Sequence, residues 1–149
     1  MVNPEELLKE LNFVPIGEHN GIIKRVKGVI SNTKPNPQKL FVAEGIWLAS
    51  MCLKFGTHIE CLIVCPEHIR TPEVAELIKN LSARTQDRFS VSAKVYEKIS
   101  EKGQPDGIIA LASLPQHDIS TFVPPEKAVI LVIDGVEIPG NAGTMLRMA

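Results

Sequence analysis

The chain has 149 residues, 44% of them hydrophobic and 22% charged, with a formal net charge of -1. Such proportions exclude a disordered tail and suit one ordinary domain with a core, or one domain plus the start of another. The longest apolar run, AVILVI, is only strand-sized, and the N-terminus carries acids where a signal peptide would carry bases, so a cytoplasmic protein with no membrane partner is expected.

Pro4 to Asn12 reads as a short helix with acids first and Leu7, Leu8 and Leu11 on one face. Next, Ile22, Ile23, Val26, Val29 and Ile30 recur at helical spacing with Lys24, Arg25 and Lys27 between them, which predicts an amphipathic helix with a basic outer face. From His19 to Leu40 there are five bases, Lys24, Arg25, Lys27, Lys34 and Lys39, and no acid. A patch of this kind attracts phosphates even on a nearly neutral molecule; the plainer alternative is a solvated helix face followed by a loop.

SNTKPNPQK, with two prolines, is a loop. After it KLFVAEG reads as a strand, IWLASMCLKFG as a helix closed by Gly56, IECLIVCP as a strand, and TPEVAELIKNLSA as a helix with Thr71 capping and Pro72 in the first turn. RFSV then reads as a short strand, SAKVYEKISEKG as a helix ended by Gly103, and GIIALAS as a strand. This alternation predicts a layered α/β domain with a mainly parallel sheet. LPQHDISTFVPP, with three prolines and no period, reads as a linker that puts a boundary near residue 120. AVILVID follows as a buried strand, then a Pro-Gly turn and a helix capped by Asn141.

Cys61 and Cys65 with His58 and His68 offer a superficial set of zinc ligands. On a strand, however, positions 61, 63 and 65 share one face, and CLIVC is not the tight turn a structural zinc site uses, so the thiols are read as small core residues and no metal is expected. Three cysteines also make no disulfide framework, which suits a reducing compartment. No glycine-rich phosphate loop is present. The turn VEIPGNAGTMLR is more informative. Placed at the end of a buried strand, it would offer free N–H groups to an anion, with Gly143 permitting close approach and Arg147 able to reach back.

Asp134 to Arg147, DGVEIPGNAGTMLR, resembles the first signature motif of the SpoU-type RNA ribose 2′-O-methyltransferases, a Gly-Asn-x-Gly followed by an Arg-bearing helix. IKRVKGV, LFVAEGIWLASMCLKFG, VSAKVYEKIS and QPDGIIALAS resemble, in order, that family's N-terminal substrate-binding domain. The resemblance covers essentially everything after residue 20. Ile138 stands where many members have Asp, which is closer to the antibiotic-resistance branch that methylates ribosomal RNA. The family's second and third motifs, which build the knotted cofactor pocket, would lie beyond Ala149.

The resemblance implies a three-layer α/β/α, ribosomal-protein-like RNA-binding domain followed by the first strand and helix start of a knotted α/β methyltransferase domain. The expected divisions are a helical extension at 1–18, the RNA-binding domain at 19–113, a linker at 114–125 and the start of the catalytic domain at 126–149. Lys24, Arg25, Lys27, Lys34 and Lys39 would contact RNA phosphates, while specificity would come from RNA shape and from unpaired bases met by the loop SNTKPNPQK; shape is preferred over base stacking because the aromatic residues are few and not interleaved with the bases. Arg147 would fix the phosphate beside the reacting ribose or stabilise its 2′-oxygen, and Asn141 would orient the turn. S-adenosylmethionine would be the methyl donor of a longer parent enzyme, with none bound by this chain. That parent would be a homodimer acting on ribosomal or transfer RNA, and this chain, a monomer inactive alone. An apolar strand without neighbours and a final helix with no stop signal point the same way, to a fragment. The alternative is a stand-alone RNA-binding module without catalysis; a blander one is an α/β protein that binds neither RNA nor cofactor.

Overall fold

The structure, a computed structural model, describes residues 3–32, 36–103, 105–116 and 118–148. The chain divides into two compact units, Met1–Pro115 and Gln116–Ala149. In chain order the first unit holds α1 (Pro4–Glu10), β1 (Val14–Pro15), α2 (Gly21–Ile30), β2 (Leu40–Glu44), α3 (Ile46–Lys54), β3 (Ile59–Val64), α4 (Pro72–Ser82), β4 (Asp87–Ser90), α5 (Ala93–Glu97) and β5 (Ile108–Ser113), with a 3-10 turn at Pro66–His68.

Local chemistry accounts for most of these boundaries. Asn3, Asn20 and Thr71 accept hydrogen bonds from the backbone N–H groups of Glu5, Ile22 and Val74, satisfying donors that the first helical turn leaves free. Gly56 follows α3 in the left-handed region, at φ +64°.

The five strands form one sheet in the order β1-β4-β3-β5-β2. β1 and β3 flank β4 in parallel, whereas β5 runs antiparallel to both β3 and β2, so the expectation of a mainly parallel sheet is corrected to a mixed one. The reason lies in the return from β4 to β5. A parallel return must travel back along a whole strand, and the five residues of α5 cover only about 7.5 Å. β5 therefore starts from the edge where β3 and β4 end, with the Cys65 N–H donating to the Gly107 carbonyl at 2.9 Å.

Alternation along β3 and β5 splits the core into two. Leu62, Val64, Ala110 and Ala112 pack with Leu8, Ala49, Ile78 and Leu81 on the α1, α3 and α4 side. Cys61, Ile63, Cys65, Ile109 and Leu111 pack with Ile23, Val26, Tyr96 and Ile99 on the α2 and α5 side. This is a three-layer α/β/α arrangement. The two thiols sit beside Ile63, as the shared strand face requires. No cluster of three or more His, Cys, Asp or Glu side chains able to hold a metal occurs among the described residues. No helix is long and apolar enough to cross a membrane, again among the described residues.

In the second unit a 3-10 turn, Ile119–Thr121, precedes α6, Pro139–Met148. Residues 128–134 form no strand, contrary to the reading of AVILVID, and Val129 and Val132 are exposed. A strand exists only through partners for its backbone N–H and C=O groups, and the described residues of this unit supply none.

Candidate nucleic-acid interface

α2 is a ridge. Ile23 and Val26 anchor it fully in the core, which turns Lys24 outward and leaves Lys27 half-buried along the flank. Neither lysine has an ion-pair partner among the described residues. Arg25 behaves differently: its guanidinium is 3.3 Å from the Glu60 carboxylate and also donates to the Gln38 side chain, so it ties α2 to β3 instead of standing free beside the lysines. Lys39 is exposed at φ +48° in a turn whose Asn36 side chain both donates to the Leu40 carbonyl, at 2.7 Å, and accepts from its N–H, at 3.0 Å. Lys34 lies outside the described residues. Of the five bases in the acid-free stretch, Lys24 and Lys27 are brought together.

Sequence reasoning missed the opposite wall. The helix expected to run to Gly103 stops at Glu97, and residues 98–102 form a loop against α2. Glu44, at the end of β2 and only 8% exposed, is the cause. One of its carboxylate oxygens accepts from the Ser100 hydroxyl and the other from the Glu101 N–H at 3.0 Å, bonds that a continuing helix could not make. Lys102 pairs with Asp106 at 2.9 Å, and that contact holds the Asp106 carboxyl below its ordinary range. Asp106 in turn accepts from the Ile46 N–H at 3.4 Å, at the start of α3. Gly45 bridges these groups at φ +93°; a Cβ there would lie 2.1 Å from the Lys102 ammonium and 2.5 Å from the Asp106 carboxylate.

A groove of about 630 Å³ runs between α2 and this loop, with Lys24, Lys27, Gly28, Lys98, Ser100 and Glu101 along it. Lys98 is held by Glu18 at 2.5 Å, a contact that also keeps the Glu18 carboxyl below its ordinary range. A second groove, about 440 Å³, borders the first at Ile30 and Glu101 and continues past Asn32 and Asn36 to Leu48 and Lys102. The arrangement can hold a polyanion along the Lys24 and Lys27 ridge and has partly apolar walls beside it.

In the second unit Pro139 opens α6, so Asn141 lies inside the first turn instead of capping it. The physical reason is that proline's fixed φ and missing N–H suit the first helical position. The Arg147 guanidinium folds back over Gly143, 3.9 Å from where a Cβ would sit, and meets the Thr144 hydroxyl at 3.5 Å. Asn141 makes no side-chain hydrogen bond to another described residue. Apolar side chains at 129, 132 and 138 face solvent.

Comparison with known proteins adds the following. The family model described as "MRM3-like substrate binding domain" matches residues 20–110. An uncharacterised tRNA/rRNA methyltransferase of Synechocystis sp. is 26% identical over 132 residues, covering 87% of this chain and 46% of that one. A solved RNA 2′-O ribose methyltransferase is 30% identical, with a TM-score of 0.64 over 90% of this chain and 50% of that one. An AdoMet-bound rRNA methyltransferase from Sinorhizobium meliloti shares the fold, with a TM-score of 0.60 at 20% identity over 76% of this chain and 41% of that one. The chain thus spans about half the length of the relatives it matches.

Proposed function

The chain belongs to the MRM3-like substrate binding domain family, and from that premise we propose that it is the RNA-holding part of a ribose 2′-O-methyltransferase acting on ribosomal or transfer RNA. The observation that carries this reading is the α2 ridge: two cations with no ion-pair partner among the described residues, inside the matched segment, beside a groove. The tRNA/rRNA and 2′-O ribose methyltransferases to which the chain is similar support it. In the whole enzyme S-adenosylmethionine would supply the methyl group.

In this division of labour the first unit supplies affinity through phosphate contacts, and Arg147 supplies a fixed positive charge near the reacting ribose. A guanidinium is almost never neutral, so its role is to stabilise a phosphate or a developing 2′-oxyanion, not to act as a base.

The test uses the chain itself. Replacing Lys24, Lys27 and Lys39 together by Gln should weaken RNA binding about equally across sequences and reduce the slope of log K against log salt by about 2, because phosphate contacts release counterions and do not read bases. An unchanged affinity and slope would reduce the ridge to a solvated helix face.

A further inference from the structure

We propose that the groove between α2 and residues 98–102 takes an unpaired nucleotide of the RNA, its phosphates on Lys24 and Lys27 and its base edge on Glu101. This rests on the RNA-binding reading above, and it places in this groove an unpaired-base contact that the sequence had suggested for the loop SNTKPNPQK.

Three features of the groove favour a base over a duplex backbone. The first is composition. A phosphate track gains from cations alone, yet here the lysine ridge is backed by Ile30, and the adjoining groove by Phe41 and Leu48, apolar surface that can cover a base face. The second is Glu101, an acid that lines both grooves. An acid there repels phosphates but accepts N–H groups from a base edge, as it accepts a ribose hydroxyl. Its backbone is held by Glu44, so the acid is presented from a fixed point and not from a loose loop. The third is Gly28. It lies inside a ten-residue helix, where glycine is less favourable than alanine, and it lines the groove with Lys24, Lys27 and Ser31. It has no side chain to stand between the lysine ridge and a flat ring. At about 630 Å³ the groove falls in the range of sites that bury small molecules.

Fluorescence anisotropy at one fixed salt concentration tests this with two labelled RNAs, a hairpin with a single-stranded loop and a blunt duplex of equal length. The hairpin should bind roughly tenfold more tightly, since only it offers unstacked bases. Glu101→Gln should weaken hairpin binding roughly threefold or more, as one acceptor oxygen becomes an NH2 donor and the charge that strengthens acceptance of base N–H groups is lost. The sign is decisive: if phosphates filled the groove, removing this negative charge would tighten binding. Gly28→Leu should collapse the hairpin-to-duplex ratio toward one at an unchanged thermal midpoint, and the smaller Gly28→Ala, which favours the helix, should lower the ratio in the same direction. Equal binding of the two RNAs, unchanged or tighter binding by Glu101→Gln, or a ratio that survives Gly28→Leu would each overturn the proposal while leaving the RNA reading intact. Binding of neither RNA would overturn both.

Discussion

Cys61 and Cys65 carry chemistry decided by burial. Loss of hydration pushes the Cys61 thiol up to about 11, and burial, reinforced by the Glu67 carboxylate beside it, pushes Cys65 up to about 12. The folded state therefore holds these protons more tightly than the unfolded chain, whose thiols titrate near pH 9. The stability linked to them is complete below pH 9 and is lost as pH rises toward 11 and beyond. Thermal midpoints should accordingly hold through neutral pH and fall in that alkaline window. Iodoacetamide at pH 8 should label Cys61 and Cys65 only after denaturation, and rapid labelling of the native protein would contradict the burial argument. Arg25 illustrates the limit of reading single residues. Its charge was counted with Lys24 and Lys27, but the Glu60 that claims it lies 35 positions away, and no local pattern points to that contact.

At the scale of elements, what could be read was what local sequence controls. The apolar spacing of α2, the Thr71 cap and Pro72 of α4, and the alternating runs of β3 and β5 all appear where their periods and caps put them. Three elements escaped because distant partners decide them. β1 has two residues, one of them Pro15, and exists because Val14 and Pro15 lie beside Phe89 and Ser90 of β4. α5 is cut short by Glu44, more than fifty residues earlier. AVILVID has the composition of a strand but no partner among the described residues of its unit. The same reasoning predicts the behaviour of α6. This ten-residue helix contains Gly140 and Gly143, each costing about 1 kcal/mol relative to alanine, and isolated helices of such length are marginal in water. In hydrogen exchange its amides should exchange almost as fast as an unstructured peptide, whereas those of Leu62, Ile63 and Ala110 should be protected nearly to the limit set by global unfolding. Comparable protection in α6 would mean that it has a packing partner this account does not contain.

For the whole molecule, the proposed function divides binding from chemistry between the two units, and that proposal can be measured in a methyltransferase that contains this chain. If α2 and its groove supply the affinity, the Lys24, Lys27 and Lys39 to Gln variant should raise the RNA dissociation constant yet leave kcat at saturating RNA close to its starting value. If Arg147 stabilises charge only as the 2′-oxygen becomes an anion, Arg147→Ala should do the reverse. It should lower kcat on the order of a hundredfold or more, the usual cost of losing one preorganised charged donor, with RNA affinity nearly unchanged. Arg147→Lys should recover only part of the loss, because an ammonium cannot reproduce the planar two-pronged contact that a guanidinium makes with a phosphate. Arg147 is exposed and its guanidinium lies back along its own helix, over Gly143 and against the Thr144 hydroxyl. A Gly143→Ala control, whose added Cβ would meet the guanidinium at 3.9 Å in ordinary contact, should retain most of the activity. A loss for Arg147→Ala that appears wholly in RNA affinity would make this arginine one more phosphate contact and leave the second unit without a chemical role.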